Sequence, residues 1–191
     1  MSWNTIITPM RPGVNLGPIP ADFAMMGWEW QPKIDDERAV FHIPDGSLYN
    51  RHGQPFARNK AEAFVPALAD LKKVFAGSEW IDLGLVGFRG TEEFKGSRGA
   101  VLVFDLPSRD GDSYESRRDL LVRRLPVLEM TRGERPKPGF VYRFQDEHQG
   151  GVLFEQTRDV PGLEGVVGRL IRAPYMQGDA PTMAKSRWKR A

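Results

Sequence analysis

QPKIDDERAV, residues 31–40, sets one lysine beside a proline and follows it with Asp35, Asp36, Glu37 and Arg38. Lys33 reads in two ways: a surface lysine in an ion-pair cluster, or an amine held so that it attacks an electrophile. A free lysine is almost wholly protonated at neutral pH, so the second reading needs a desolvated or cation-lined setting that favours the uncharged form. A carboxylate alongside opposes that shift. Asp35 therefore reads as a residue that shapes the loop or positions the site rather than as a tight partner of Lys33.

The composition bounds what surrounds this stretch. With 191 residues, 40% of them hydrophobic and 27% charged, the chain can bury one good core with at most a small appended lobe. The sequence has no cysteine, which excludes disulfides, a thiolate zinc site and a cysteine nucleophile, and fits a reducing compartment. No apolar run approaches the length of a membrane span, and the opening MSWNTIITPMRPG lacks the charged-then-apolar form of a signal peptide. A cytoplasmic location is expected. Nineteen arginines stand against eight lysines at a net charge of +2. The planar arginine fork suits phosphate oxygens, but a GC-rich genome gives the same bias, and the charge balance alone does not establish nucleic-acid binding.

Residues 1–30 are rich in Pro and Gly with scattered large apolar groups, Trp3, Met10, Phe23, Met25, Met26, Trp28 and Trp30, and read as an irregular lead-in packed on a body formed by 31–191. From Asn59 the apolar positions Phe64, Val65, Leu68, Leu71, Val74 and Phe75 recur at helical spacing, with Pro66 marking a first turn and Gly77 a stop. WIDLGLVGF (80–88), AVLVFDL (100–106), FVYRF (140–144) and GVVGRLI (165–171) carry strand composition between turn residues. SYESRRDLLVRRL (113–125) reads as a basic amphipathic helix whose Arg117, Arg118, Arg123 and Arg124 form a solvated face or track a phosphate backbone. Gly150 and Gly151 interrupt any helix near them. Strands and helices do not alternate regularly, so the expected class is α+β with mainly antiparallel sheets flanked by helices.

PKIDDERAV resembles the first motif, Lys-x-Asp-Gly-x-Arg, of the covalent nucleotidyltransferases: ATP-dependent DNA ligases, RNA ligases and mRNA capping guanylyltransferases. Further stretches follow in the family's order. LYNRHGQPF (48–56) resembles the arginine-containing loop, WIDLGLVG the third motif, AVLVFDL the strand with the base-stacking aromatic, LEGVVGR (163–169) the Glu-Gly motif, and SRWKRA (186–191) the last, Lys-x-Lys motif. The resemblance implies the nucleotidyltransferase fold of this superfamily, which is ATP-grasp-like. It further implies an adenylation domain that takes AMP from ATP onto Lys33 and passes it to a 5′-phosphate end for sealing.

The same resemblance implies a role for each matching residue. Gln31 would read the base edge, Pro32 and Ile34 would flank Lys33 in the nucleotide pocket, and Arg38 would bind the ribose or phosphate side. Arg51 would meet phosphates or nucleic acid. Phe104 would stack on the purine, a contact worth ~1–3 kcal/mol. Glu164, with Asp35, would hold Mg2+, because a hard cation on phosphates takes one or two carboxylates and otherwise water. Lys189, with Arg187 in place of the first lysine of the pair, would neutralise the α-phosphate as charge builds. Two positions depart from the pattern: Asp36 stands where the first motif has glycine, and Gly84 stands where the third has a ribose-touching glutamate. Asp82 would substitute for that glutamate, or the nucleotide would be held more loosely.

The implied partner is nicked DNA or another polynucleotide end, in a phage or bacterial setting. The chain ends two residues after Lys189, where relatives continue into an OB-fold, so a separate OB-fold or clamp-like partner is an expectation. An RNA ligase, a capping-type guanylyltransferase and a non-catalytic nucleic-acid-binding relic of the same fold remain as alternatives.

Overall fold

The computed structural model describes residues 6–88, 92–107 and 111–188. Two sheets carry the fold. The first has the order β1 (Met10–Asn15), β9 (Gly178–Arg187), β8 (Leu163–Leu170), β2 (Trp28–Ile34), with β1 parallel to β9 and the other pairs antiparallel. The second has the order β4 (Ser47–Asn50), β3 (Glu37–His42), β5 (Trp80–Leu85), β6 (Val101–Asp105), β7 (Val141–Tyr142), antiparallel except for β6 and β7. Helices α1 (Arg58–Ala61), α2 (Val65–Val74), α3 (Tyr114–Arg124) and α4 (Gly150–Gln156) flank them. The class is α+β with mainly antiparallel pairing, as the sequence implies.

The opening stretch is the seam between the sheets. β2 ends at Ile34 in one sheet and β3 begins at Glu37 in the other, so only Asp35 and Asp36 make the crossing. In β2 the side chains alternate as the strand period demands. Trp28 and Trp30 pack into a core with Leu153 and Phe154 of α4, while Gln31 and Lys33 line a cleft on the other face. The residues before Gln31 are therefore not irregular throughout: β1 is a strand of the first sheet, and β2 starts at Trp28.

The second sheet buries its outer face under α2 and α3. Phe41, Ile81, Leu83, Val101 and Val103 meet Leu68, Leu71, Leu121 and Leu125 there. On its inner face Leu102 and Phe104 join Ile34, Phe144 and Leu163, which ties the two sheets together. Pro66 falls in the first turn of α2, where its missing N–H costs no helical bond.

Two expectations fail for packing reasons. Gly150 and Gly151 begin α4 rather than interrupting it. A Cβ on Gly150 would stand 2.8 Å from the Trp30 ring, and one on Gly151 would run into the carbonyl oxygens of Pro20 and Ala21. Glycine is there for close approach and not as a breaker. The four arginines of α3 likewise do not make one face: Arg123 and Arg124 are exposed, as a solvated face requires, and Arg117 and Arg118 turn inward. Arg117 is fully buried and grips Asp105 of β6 with Nε and Nη2 at 2.6 and 3.1 Å. Arg118 pairs with Asp146 at 2.7 Å and Glu29 at 3.0 Å, and Arg124 donates to the carbonyl of Val74 at 2.6 Å. Among the described residues no helix is long and apolar enough to cross a membrane.

Candidate active site

The cleft between the sheets is lined by Gln31, Lys33, Asp36, Arg38, Phe104 and Arg169, with Pro12, Pro32, Ile34, Val167 and Met183 completing its walls. Lys33 is delivered by β2 on the polar face, its side chain 17% exposed, with Nζ in direct contact with Glu164 Oε2. Arg187 Nε stands 3.4 Å from that same oxygen. The partner of Lys33 is thus Glu164.

A break in register explains how Glu164 gets there. Lys33 pairs with Gly165 but Ile34 pairs with Leu163, so Glu164 is the extra residue of a β-bulge. In a regular strand Glu164 would share the face of Val166 and point into the core around Trp30. The bulge turns it to the cleft instead. Gly165 makes the bulge possible: its φ of 137° and the closeness of the Ser186 carbonyl oxygen both exclude a side chain.

β9 supplies cations on the same side. Gly165 pairs with Arg187 and Val167 with Lys185, so residues 185 and 187 share the face of Lys33. Lys185 has its pKa pushed down, first by burial and then by Arg187 and Lys33. Lys185 went unnoticed in the sequence, although Lys-Ser-Arg at strand spacing is the signal that finds it. Lys189, expected beside Arg187, lies outside the described residues.

From the second sheet come Arg38 and Phe104. The Arg38 guanidinium lies 4.6 Å from the centroid of the Phe104 ring and is clamped by Asp82, with Nε and Nη2 at 2.5 and 2.6 Å from its oxygens. That pairing outweighs burial and raises the Arg38 pKa, keeping the guanidinium charged. Asp82 is fully buried and also accepts from Tyr175 Oη at 3.0 Å. Its oxygens are engaged, so Asp82 does not stand in for a ribose-touching glutamate; it acts on the cleft through Arg38.

Gln31 is similarly committed. Its Nε2 donates to Asp146 Oδ1 at 2.9 Å and Tyr114 Oη at 3.2 Å, while its Oε1 accepts from Arg169 Nη1 at 2.9 Å. It anchors a buried polar network below the cleft instead of leaving its amide edge open. Arg51 is exposed on the turn after β4, donating to His52 Nε2 at 3.0 Å, and does not line the cleft. Asp35 donates its backbone N–H to the Gly162 carbonyl and is not a cleft residue either. Among the described residues no three His, Asp or Glu side chains gather as a metal site. Glu164 is the carboxylate in contact with Lys33 and beside Arg187, which fits a hard ion that takes a single protein carboxylate plus phosphate and water.

Asp36 is the residue whose place was not legible. Its backbone needs no positive φ, so the glycine of the related pattern is dispensable. Its Oδ2 is buried without a hydrogen-bond partner, and burial, partly offset by Lys33 and Arg38, raises its pKa to about 6. Gly84 lies directly against it: a Cβ there would overlap Oδ2 and stand 2.7 Å from Asp36 Cγ and 2.9 Å from Phe104 Cε2.

No family model and no curated protein matches the sequence. Solved structures do match the fold. The ligase domain of LigD from M. tuberculosis superposes with a TM-score of 0.65 at 17% identity, covering 95% of this chain and 59% of that one. A mycobacterial DNA ligase D complexed with ATP gives 0.61 at 19%, covering 95% and 60%. Chlorella virus DNA ligase-adenylate gives 0.55 at 16%, covering 95% and 69%. The fold is that of the nucleotidyltransferase domain of ATP-dependent DNA ligases. The chain spans about three-fifths of the first two structures.

Proposed function

We propose that this chain is the adenylation domain of an ATP-dependent DNA ligase, with Lys33 as the nucleophile that carries AMP. The observation that carries the reading is one cleft in which Lys33, Glu164, Lys185 and Arg187 on the first sheet face Arg38 and Phe104 on the second. Cations of the kind that bind phosphate thus surround a single held amine. The fold it shares with ligase domains, one of them holding ATP, supports the same assignment.

The chemistry is a displacement at phosphorus. Lys33 Nζ, once it has given up a proton to water, attacks the α-phosphorus, a P–N bond forms, and pyrophosphate leaves with the electron pair of the broken P–O bond. Arg187 and Lys185 neutralise charge on the α-phosphate as it builds. Mg2+, held by Glu164 and the phosphates, would supply charge neutralisation of the leaving group. The AMP then passes to the 5′-phosphate of a nicked strand, and a 3′-hydroxyl displaces it. Phe104 offers its ring to the purine when Arg38 shifts onto the phosphate or ribose.

The test is covalent labelling. Wild-type protein incubated with α-labelled ATP and magnesium should keep the label after denaturation and lose it in acid, as a phosphoramidate does, and Lys33→Ala should take up none. Label from GTP instead of ATP would move the assignment to a capping-type reaction. Label retained by Lys33→Ala would place the nucleophile elsewhere.

A further inference from the structure

We infer that Asp36 is the ribose-binding residue of this cleft, its carboxylate occupying the space that a side chain at position 84 would otherwise fill. The inference rests on the nucleotide reading above and deepens it.

Three observations meet at this point. The first is steric. Gly84 sits at the centre of β5, paired with Arg38 on one side and Leu102 on the other, and any side chain it carried would project into the volume held by the Asp36 carboxylate and the edge of the Phe104 ring. Positions 36 and 84 share one space, and the chain fills it from the crossing between the sheets.

The second is chemical. An ionised carboxylate only accepts hydrogen bonds, and leaving a buried acceptor unmade is costly. Asp36 Oδ2 is buried and unpartnered, although three cations, Lys33, Arg38 and Arg169, line the same cleft. None of them answers it. Lys33 is in contact with Glu164, Arg38 is spent on Asp82 and on the carbonyl of Met10 at 3.3 Å, and Arg169 donates to Gln31 at 2.9 Å. A ligand hydroxyl entering the cleft can supply the missing donor.

The third is positional. Asp36 shares the cleft with the amine that would meet the α-phosphate, and its carboxylate and the edge of the aromatic ring that would meet the base both border Gly84. A vicinal pair of hydroxyl donors matches a carboxylate with an acceptor to spare. The exchange also makes one event of the two departures from the related sequence patterns, Asp36 for glycine and Gly84 for glutamate.

Equilibrium binding of ATP, 2′-deoxy-ATP and 3′-deoxy-ATP, measured without magnesium to prevent turnover, tests this. Wild-type protein should prefer ATP to at least one deoxy analogue by about 10-fold or more, the scale of a hydrogen bond to a charged group. Asp36→Ala should erase that preference by weakening ATP alone. Gly84→Glu by itself crowds Asp36 and should bind poorly, whereas Asp36→Gly combined with Gly84→Glu should restore the preference. Sugar discrimination that survives in Asp36→Ala, a double variant no better than Asp36→Gly alone, or no nucleotide binding at all would each overturn the inference. Covalent labelling of the same proteins, with magnesium added, separates the two readings. Label without Asp36-dependent discrimination keeps Lys33 as nucleophile and removes Asp36. Discrimination without label does the reverse.

Discussion

Asp36 sits where burial disfavours its charge, and this has a consequence for stability. A carboxyl of this type titrates at 3.8 when unperturbed and at about 6 in this fold. Between those values the folded state holds more protons than the unfolded one, so the unfolding free energy falls as pH rises. The group's stabilisation is complete below about pH 4 and gone above about pH 6. Asp36→Asn lacks that dependence, so from about pH 4 to pH 7.5 it should gain on the order of 2–3 kcal/mol relative to wild type. Urea unfolding of both proteins across this range reads the difference directly, and parallel pH profiles would refute it. Lys185 gives a second test at this scale. It shares the face of Lys33 and Arg187, and methionine keeps its aliphatic stem, so Lys185→Met should leave the urea midpoint nearly unchanged while slowing covalent labelling by about 100-fold, the scale of removing one preorganised charge partner. Equal rates would take it out of the site.

The elements show which signals reach the sequence and which do not. The β6 strand and helix α3 sit within a residue of where composition puts them, and β5 starts where expected and ends three residues early, because their apolar runs and turn residues are local. The β2 strand carried its alternation openly as WEWQPKI, yet Pro- and Gly-rich surroundings masked it. The α4 glycines misled because their reason is a ring and two carbonyls from distant segments. Gly151→Ala should therefore destabilise rather than strengthen the helix, by ~1–3 kcal/mol as overpacking does. Arg117 hid for the same reason: its partner Asp105 lies on another element. Arg117→Met alone strands a buried carboxylate and should cost ~3–5 kcal/mol, while adding Asp105→Leu should recover most of it. A double variant as weak as the single one would show that the guanidinium holds α3 by its other contacts. In the site, Lys33, Glu164 and Arg187 were legible as motif residues. The pairing of Asp36 with Gly84 was not, since it exists only once β3 lies beside β5.

At the scale of the whole molecule the cleft belongs to neither sheet. The first contributes Lys33 and Arg169, with Glu164 and the cations of β9 beside Lys33, the second contributes Arg38 and Phe104, and between β2 and β3 the chain crosses in two residues. A nucleotide that touches both halves must stabilise both, because any opening of the seam releases it. Mass action sets the size: at a hundredfold excess over Kd a ligand specific for the folded state adds ~2.7 kcal/mol. Hydrogen exchange then tells where that gain is spent. With saturating ATP, slowed exchange should appear in β2 and β8 of the first sheet and in β3 and β5 of the second, by similar factors. Arg38→Ala cuts the link to the second sheet, so protection in β3 and β5 should drop while that near Lys33 persists. Protection confined to a single sheet in the wild-type protein would mean that the ligand sits on one wall of the cleft and that the seam takes no part in holding it.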